Sequence, residues 1–170
     1  SYKPYIYEGN LRLTDFVLRP ITKALIHFTF AAPLLGLVLV GEGGVTLVGF
    51  LSAIAGMLVV LANLFLYGLL IALMGARYPD INDFFGSVML AMFLITPIVW
   101  YADAAPPGSV QGMLMRANPF HHMLASIRAP ILGETIEPVT YTYLAVMTVA
   151  GLALAAVLYP RLARRVPTWL

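Results

Sequence analysis

The feature that most constrains this chain is a run of 30 residues, 45–74, without a single charged side chain. Seventeen of the 30 are Leu, Ile, Val or Phe. A bilayer core about 30 Å thick is crossed by about 20 helical residues of this kind. The whole chain is 61% hydrophobic and only 11% charged, whereas an average soluble domain carries about 25% charged residues. We therefore expect lipid, and not water, to be the main solvent of the folded chain.

Three further apolar runs approach the length of a membrane span. They cover residues 21–40, 84–101 and 139–158. Helices satisfy all backbone hydrogen bonds within one segment, which a lipid environment requires. The sequence thus predicts an all-α integral membrane protein with four transmembrane helices.

The basic residues predict how these spans are oriented. Four spans leave both chain ends on one side of the membrane, and eight of the ten Lys and Arg residues fall on that side. These are Lys3, Arg12, Arg19, Lys23, Arg77, Arg161, Arg164 and Arg165. Only Arg116 and Arg128 fall on the other. Because cytoplasmic loops carry the excess of Lys and Arg, we predict that both termini are cytoplasmic.

Residues 108–133, between the third and fourth spans, read as two short helices that cannot cross a bilayer. Asn118 followed by Pro119 is the signature of a helix N-cap with Pro at the first helical position. The second helix is predicted over 120–128, with Ala129-Pro130 and Gly133 ending it. We predict a re-entrant hairpin that enters the outer leaflet and returns, which requires shielding by protein or a water-filled cavity. An N-cap is also expected from Asp80, before the third span.

No motif for chemistry or energy input stands out in the sequence. The glycine-rich stretch at 41–44 lacks the Gly-Lys-Ser/Thr that a phosphate-binding loop needs, and no cysteine is available as a metal ligand. His121 and His122 are adjacent, so on a helix they point about 100° apart and do not share one ion easily. We interpret them as interfacial polar residues, with contact to a polar substrate as the alternative. Energy would then come from a partner protein or from a gradient.

Two polar residues inside the spans invite a functional interpretation. His27 is an ionisable group within a predicted span, which is a functional-site hypothesis, although it lies one turn from Lys23 near the cytoplasmic boundary. Asn63 is more simply explained as a hydrogen-bonding contact between helices. Small residues four apart, such as Gly49 with Ala53, would allow close helix packing.

The acidic residues argue against two other functions. All eight fall outside the spans or at their edges: Glu8, Asp15, Glu42, Asp80, Asp83, Asp103, Glu134 and Glu137. An ion-coupled carrier or channel needs charged groups within the membrane, and a polytopic enzyme acting on lipid-linked sugars needs clustered acids or histidines. Both remain open as alternatives, as does a non-transporting assembly subunit.

Four short strings resemble one family of membrane proteins. They are residues 76–81 (Ala-Arg-Tyr-Pro-Asp-Ile), 94–100 (Leu-Ile-Thr-Pro-Ile-Val-Trp), 118–121 (Asn-Pro-Phe-His) and 128–133 (Arg-Ala-Pro-Ile-Leu-Gly). In their order and spacing the chain resembles the permease of ABC-2 type polysaccharide exporters, above all the subunits that export O-antigen (lipopolysaccharide) and teichoic acid.

The resemblance implies a complete working arrangement. The family's permease has six spans, forms a homodimer in the bacterial cytoplasmic (inner) membrane, and moves a lipid-linked polysaccharide outward. ATP is bound by a separate ATP-binding cassette subunit, so we expect no cofactor, no metal and no enzymatic activity in this chain, and no nucleic-acid partner. Residues 1–170 would form one permease domain, N-terminally incomplete, that holds the last four of the six spans.

The same resemblance implies two sets of site residues. Residues 7–13 would match a cytoplasmic coupling helix that docks on the ATPase, with Glu8, Asn10 and Arg12 as the contacts. Aromatic rings suit the flat C–H faces of sugars, and we expect Trp100, Tyr101 and Phe120 to border the exit. The substrate-path candidates are Phe93, Trp100, Tyr101, Phe120 and His121.

Overall fold

The computed structural model describes residues 13–41, 44–78, 80–98, 100, 104–106, 108–163 and 166. These residues form six helices and contain no strand, so the all-helical prediction is confirmed. The helices are α1 (Leu13–Gly41), α2 (Leu47–Arg77), α3 (Ile81–Ile95), α4 (Val110–Ala117), α5 (Pro119–Leu132) and α6 (Pro138–Leu162).

Within the described chain, three helices are long and apolar enough to cross a membrane. They are α1 with 29 residues, α2 with 31 and α6 with 25. At 1.5 Å per residue they measure about 37–46 Å, which exceeds a hydrocarbon core of about 30 Å. They carry many outward-facing apolar side chains, such as Phe30, which is 81% exposed. These helices suggest a membrane protein, as predicted from residues 21–40, 45–74 and 139–158.

Helix α3 is shorter than the third predicted span, 84–101. It has 15 residues, or about 22 Å, and ends at Ile95. Thr96 is extended (φ −74°, ψ 131°) because the ring of Pro97 disfavours the helical conformation in the residue before it. Asp80 takes the predicted N-cap position, but its backbone is helical and its side chain makes no capping hydrogen bond, so the predicted capping interaction is wrong. The four-span topology stays a prediction.

The chain divides into two compact units. The first, called here the span unit, comprises Ser1–Val45, Val60–Pro79 and Met147–Leu170. The second, called here the hairpin unit, comprises Thr46–Val59 and Asp80–Val146 and contains α3, α4 and α5. Helices α2 and α6 each contribute one end to each unit.

Two polar contacts join α2 to α6 within the span unit. The Asn63 amide donates to the Thr148 hydroxyl at 2.7 Å, and the Tyr67 hydroxyl donates to the Met147 carbonyl at 3.0 Å. The predicted interhelical role of Asn63 is thereby confirmed. Gly151 of α6 lies against Leu66 and Tyr67, so its lack of a side chain permits this packing.

Helix α1 extends beyond its predicted bounds. It begins at Leu13, eight residues before the predicted span, and Pro20 and Pro33 lie inside it. His27 is exposed on this helix, and its Nδ1 donates to the Lys23 carbonyl at 2.6 Å, a local contact within one turn.

Candidate functional site

The helical hairpin α4–α5 is built from strong local capping signals. Ser109 precedes α4, and its hydroxyl accepts from the Gly112 amide at 2.9 Å. Asn118 stands between the two helices, and its side-chain oxygen accepts from the Phe120 amide at 3.0 Å. Pro119 occupies the first helical position, where its missing N–H costs nothing. The predicted Asn118–Pro119 helix start is confirmed.

The end of α5 confirms the predicted stop at Gly133 but not the one at Ala129-Pro130. Ala129-Pro130 was expected to stop the helix, but α5 continues to Leu132. It ends at Gly133, whose φ of 72° is left-handed and suits glycine because a Cβ would be strained there. Pro130 removes one helical hydrogen bond without ending the helix, because the packing around it supports the remaining turn.

Small residues of α2 support this part of α5. Pro130 leaves the Ser126 carbonyl without its usual helical donor, and Gly56 lies directly against that carbonyl. Gly49 lies against the Pro130 carbonyl in the same way, and Ala53 between them is buried. A Cβ added at Gly49 or Gly56 would overlap backbone oxygen. The predicted close-packing role of Gly49 and Ala53 is confirmed here.

A hydrogen-bonded junction connects the end of α3 to both ends of α5. Asn118 is 2% exposed, and its amide donates to the Met92 carbonyl at 3.0 Å and to the Thr96 hydroxyl at 2.8 Å. Arg128 donates from Nη1 to the Pro97 carbonyl at 3.0 Å. We call these five residues the α3–α5 junction. It fixes the hairpin relative to the preceding apolar helix.

His122 is a fully buried structural residue. Its Nε2 lies 2.8 Å from the Arg116 carbonyl and its Nδ1 lies 2.9 Å from the Thr140 hydroxyl. A carbonyl only accepts, so in the neutral ring Nε2 carries the hydrogen and Nδ1 accepts from Thr140. The ring stacks on Tyr143 at a centroid distance of 4.2 Å, and the Tyr143 hydroxyl donates to the Ala117 carbonyl. His122 therefore joins α4, α5 and α6.

Arg116 and Glu137 form a forked ion pair between the end of α4 and the start of α6. Arg116 donates from Nη2 to Oε1 at 2.8 Å and from Nε to Oε2 at 3.2 Å. The hydrogen bonds from Arg116 hold the pKa of Glu137 below its usual value, against the opposing effect of burial. Glu137 therefore stays ionised at neutral pH.

His121 differs from its neighbour because it is buried without a full set of partners. It is 7% exposed, and its Nδ1 has no hydrogen-bond partner in the described structure. Burial lowers the pKa of His121, the charges of His122 and Arg116 lower it further, and Glu137 opposes the shift. The imidazole is therefore neutral at neutral pH. No cluster of three metal-ligating side chains occurs among the described residues.

His121 lines a cleft of about 480 Å³ in the hairpin unit. We call it the polar cleft. Its polar lining residues are His121, Arg128, Glu134, Thr135, Glu137 and Thr140. Leu124, Ile136 and Pro97 supply apolar surface beside them. Polar groups that converge beside apolar walls in a cavity of this size are typical of small-ligand sites.

A second cleft, of about 420 Å³, is more apolar. Trp100 lines it together with Leu94, Ile95, Gln111 and Leu114. We call it the tryptophan cleft. It too lies within the hairpin unit, and its lining joins the end of α3 to α4.

The predicted substrate-path residues thus fall in different places. His121 lines the polar cleft and Trp100 lines the tryptophan cleft, whereas Phe93 and Phe120 line neither. Phe93 is 52% exposed on α3. Tyr101 and the coupling candidates Glu8, Asn10 and Arg12 lie outside the described residues.

Sequence reasoning missed most of the polar partners in this site. The Arg116–Glu137 pair is separated by 21 residues and the Asn118–Met92 contact by 26. No sequence pattern marks such a pair in advance. For the α3–α5 junction, the N-cap signal pointed to Asn118, and the strings that carry the resemblance also contain Thr96, Pro97 and Arg128.

Comparison of the chain with protein-family models, with characterised proteins and with solved structures finds no match. The function is therefore argued from the residues and the geometry of the site.

Proposed function

We propose that this chain is the membrane permease subunit of an ATP-driven exporter that moves a lipid-linked, O-antigen-like polysaccharide across the bacterial cytoplasmic membrane. The observation that carries the proposal is the α3–α5 junction. Three of the four strings that resemble the exporter permeases meet there, because 118–121 and 128–133 are each hydrogen bonded to 94–100. Short strings can match a family by chance when they are scattered, but strings that fold into one site form a single structural feature.

The topology we propose has four spans with both termini in the cytoplasm. Helices α1, α2 and α6 supply three spans, and α3 with the residues that follow it supplies the other. On this topology Arg116 and Arg128 of the hairpin lie on the outer side, and the other eight basic residues lie inside. The hairpin α4–α5 would then enter the outer leaflet with Arg116, Asn118 and His122 bonded to protein groups, which is the kind of shielding that such a segment requires.

The chemistry of the clefts supports a sugar polymer as the cargo. Trp100 offers a flat aromatic face beside apolar side chains, and the polar cleft offers hydroxyl, carboxylate and imidazole groups. A sugar presents C–H faces to the first kind of surface and hydroxyl groups to the second. Energy would come from a separate ATP-binding cassette subunit, which the segment containing Glu8, Asn10 and Arg12 would contact in a permease homodimer.

Depletion of the chain in its source organism tests the proposal. We expect lipid-linked glycan to accumulate on the cytoplasmic side of the membrane while the amount of surface polysaccharide falls. Metabolic labelling with a radioactive sugar measures both pools. The tagged chain should co-purify with an ATP-hydrolysing subunit. Unchanged surface polysaccharide after depletion would contradict the proposal. Glycan transport that continued without the ATPase and stopped when the proton gradient collapsed would favour an ion-coupled carrier.

Substitution of Trp100 by Ala tests the predicted exit. Export should fall while the amount of assembled complex and its ATPase activity stay unchanged, with parallel variants at Tyr101 and Phe120. Phe84→Ala is the matched control, because Phe84 is an exposed aromatic residue of α3 that lines neither cleft. Equal export by the Trp100 and Phe84 variants would remove Trp100 from the pathway. Charge reversal at Glu8 and Arg12 should instead uncouple ATP hydrolysis from export.

A further inference from the structure

The charges around the polar cleft balance. Arg128 and Glu134 line it with opposite charges, and Glu137 is paired with Arg116. The two cationic groups already have acceptors, since Arg128 donates to the Pro97 carbonyl and Arg116 to Glu137. A phosphate or carboxylate entering the cleft would meet two carboxylates and a guanidinium group that already donates to the Pro97 carbonyl. The cleft is therefore poorly suited to an anion.

The cleft is also poorly suited to a metal ion. Among the described residues no three metal-ligating side chains come together, and Glu137 is held by Arg116. The lining instead offers separate side chains that can each form hydrogen bonds with a neutral ligand. They are the carboxylate of Glu134, the hydroxyl of Thr135 and the imidazole of His121.

His121 is the group in this lining whose hydrogen bonds are incomplete. The residue is more than nine-tenths buried, and its Nδ1 lacks a partner in the described structure. Unsatisfied buried polar atoms are rare in folded proteins, and a bound water or ligand is one of the features that explain such an atom. A neutral imidazole carries one donor and one acceptor, which is the pattern of a hydroxyl group.

We propose that the polar cleft binds one uncharged sugar ring and that His121 is its specificity-determining residue, which selects neutral over acidic sugars. The inference rests on the proposed function, because the ring would be a unit of the exported polymer. The hydroxyls of the ring bond to His121, Glu134 and Thr135. Its C–H face lies on Leu124 and Ile136.

This site has an expected pH dependence. Protonation of His121 removes its acceptor and adds a positive charge beside Arg116 and Arg128, with Glu137 and Glu134 as the opposing charges and His122 as the neighbouring imidazole. Because burial lowers the pKa of His121, the neutral form prevails at pH 7.5. Sugar affinity should therefore be constant near neutral pH and fall on acidification below pH 6.5.

Sugar binding is measured on the purified full chain by saturation-transfer NMR, without an ATPase. A phosphocholine detergent is required because maltoside detergents present sugar rings themselves. The probes are glucose, galactose and rhamnose, compared with glucuronic acid and glucose 1-phosphate. We expect at least one neutral sugar to bind more tightly than both acidic ones at pH 7.5. His121→Phe should weaken that sugar roughly 2- to 10-fold, which is the effect of one lost hydrogen bond.

Two further variants make the test independent of folding defects at His121. Glu134→Gln changes an exposed lining residue and should also weaken neutral-sugar binding several-fold, because an ionised acceptor makes the stronger hydrogen bond. His27→Phe replaces an exposed histidine on α1 and should leave binding unchanged. Acidification should weaken binding by the parent protein more than binding by the His121 variant, and because burial lowers the pKa of His121 the loss should begin below pH 6.5.

The outcomes separate this inference from the proposed function. If no neutral sugar binds, or acidic sugars bind as tightly, the inference is overturned even when depletion of the chain still blocks export. If neutral sugars bind through His121 while depletion leaves surface polysaccharide unchanged, the cleft assignment stands and the exporter proposal falls. Equal affinities for the parent, His121 and Glu134 variants would also overturn the inference.

Discussion

The hairpin α4–α5 and the helix α1 differ in how many of their side chains are buried and hydrogen bonded to other parts of the chain. In the hairpin, His122 and Asn118 are almost completely buried. His122 bonds to Thr140 of α6, and Asn118 bonds to Met92 of α3 and to Thr96 just after that helix. In α1, Val17 is the one buried residue, and none of the most apolar window of that helix is buried. The side chains of His27 and Thr29 on α1 bond to carbonyls one turn earlier in the same helix.

The difference shows what specifies each region. The hairpin has short helices of 8 and 14 residues, which cannot persist on backbone hydrogen bonding alone, so tertiary contacts must define its shape. Helix α1 has 29 residues and an apolar surface that lipid would cover. A region that is fixed by many specific bonds holds side chains in a constant geometry, which binding requires. The hairpin is therefore the place to look for a site, and α1 is the place to look for matched controls.

Replacement of Asn118 by Ala should cause the largest loss of stability among these predictions, because it removes the central residue of the α3–α5 junction. The change removes the N-cap of α5 and takes one donor each from the Thr96 hydroxyl and from the Met92 carbonyl, which still accepts from the Thr96 amide and hydroxyl. A lost cap costs about 1 kcal/mol and each of the two other lost hydrogen bonds about 0.5–1.5 kcal/mol, so the free energy of unfolding should fall by about 2–4 kcal/mol. Titration with SDS in phosphocholine micelles, followed by circular dichroism, measures this loss.

Thr29→Ala is the control for the Asn118 variant. Thr29 is exposed on α1 and its hydroxyl bonds only to the Leu25 carbonyl, so its replacement should change stability by less than about 0.5 kcal/mol. Similar losses for the two variants would mean that the junction is no better fixed than an exposed helix surface.

Alanine at Gly56 should have an effect opposite in sign to alanine at Gly36. A Cβ at Gly56 overlaps the Ser126 backbone of α5, so we expect a loss of about 1–3 kcal/mol from forced displacement. At Gly36 of α1 nothing lies within 4 Å, so alanine should stabilise the helix by up to about 1 kcal/mol through its higher helix propensity. The same SDS titration detects both signs. Equal shifts would show that α5 does not pack on Gly56.

Much of the fold could be predicted from local sequence because hydropathy and length alone define a long apolar helix. The bounds were less predictable. Residues 21–40 mark the part of α1 that matches a hydrocarbon core, whereas the helix itself begins at Leu13 because its polar first turns can continue in water. Residues 94–100 remain apolar past Pro97, so the apolar run concealed the point where α3 ends.

The site could be predicted only where the signal is local. Asn118 and Pro119 are adjacent, and their cap follows from two neighbouring residue types. Glu137 bonds to Arg116 and Thr140 bonds to His122 across 21 and 18 residues, and no periodicity links these pairs. The predicted helix stop at Pro130 was wrong for the same reason, because the residues around Pro130 do not reveal that α2 packs against α5.

Asn63 allows a polar contact within a predicted span to be compared with the contacts of the hairpin. Its hydrogen bond to Thr148 joins α2 to α6, but polar links between membrane helices contribute only about 0.6 kcal/mol on average, up to about 1.7. Asn63→Leu should therefore cost less than Asn118→Ala. A double-mutant cycle with Thr148→Val isolates the shared part of the loss. An additive double variant would show that the two side chains do not interact.

Glu137 should show the smallest and most pH-sensitive effect. Its ion pair with Arg116 is partly exposed, and such pairs contribute about 0.2–1 kcal/mol, so Glu137→Gln should cost no more than this at pH 7. The pKa of Glu137 is lowered in the folded chain, so the unfolded chain binds its proton first as the pH falls from neutral. The stabilisation is therefore complete above the unfolded pKa of about 4.5 and lost as the pH falls through the lower folded value.

Glu134→Gln is the matched control for this last effect, because it removes a carboxylate three residues earlier in the same connection and leaves the Arg116 pair in place. SDS titrations at pH 7 and pH 3.5 should show the difference between parent and Glu137 variant shrinking at the lower pH, with no comparable change for the Glu134 variant. A difference that stayed constant with pH would arise from packing around residue 137. The ion pair would then contribute nothing to the fixed geometry that distinguishes the hairpin from α1.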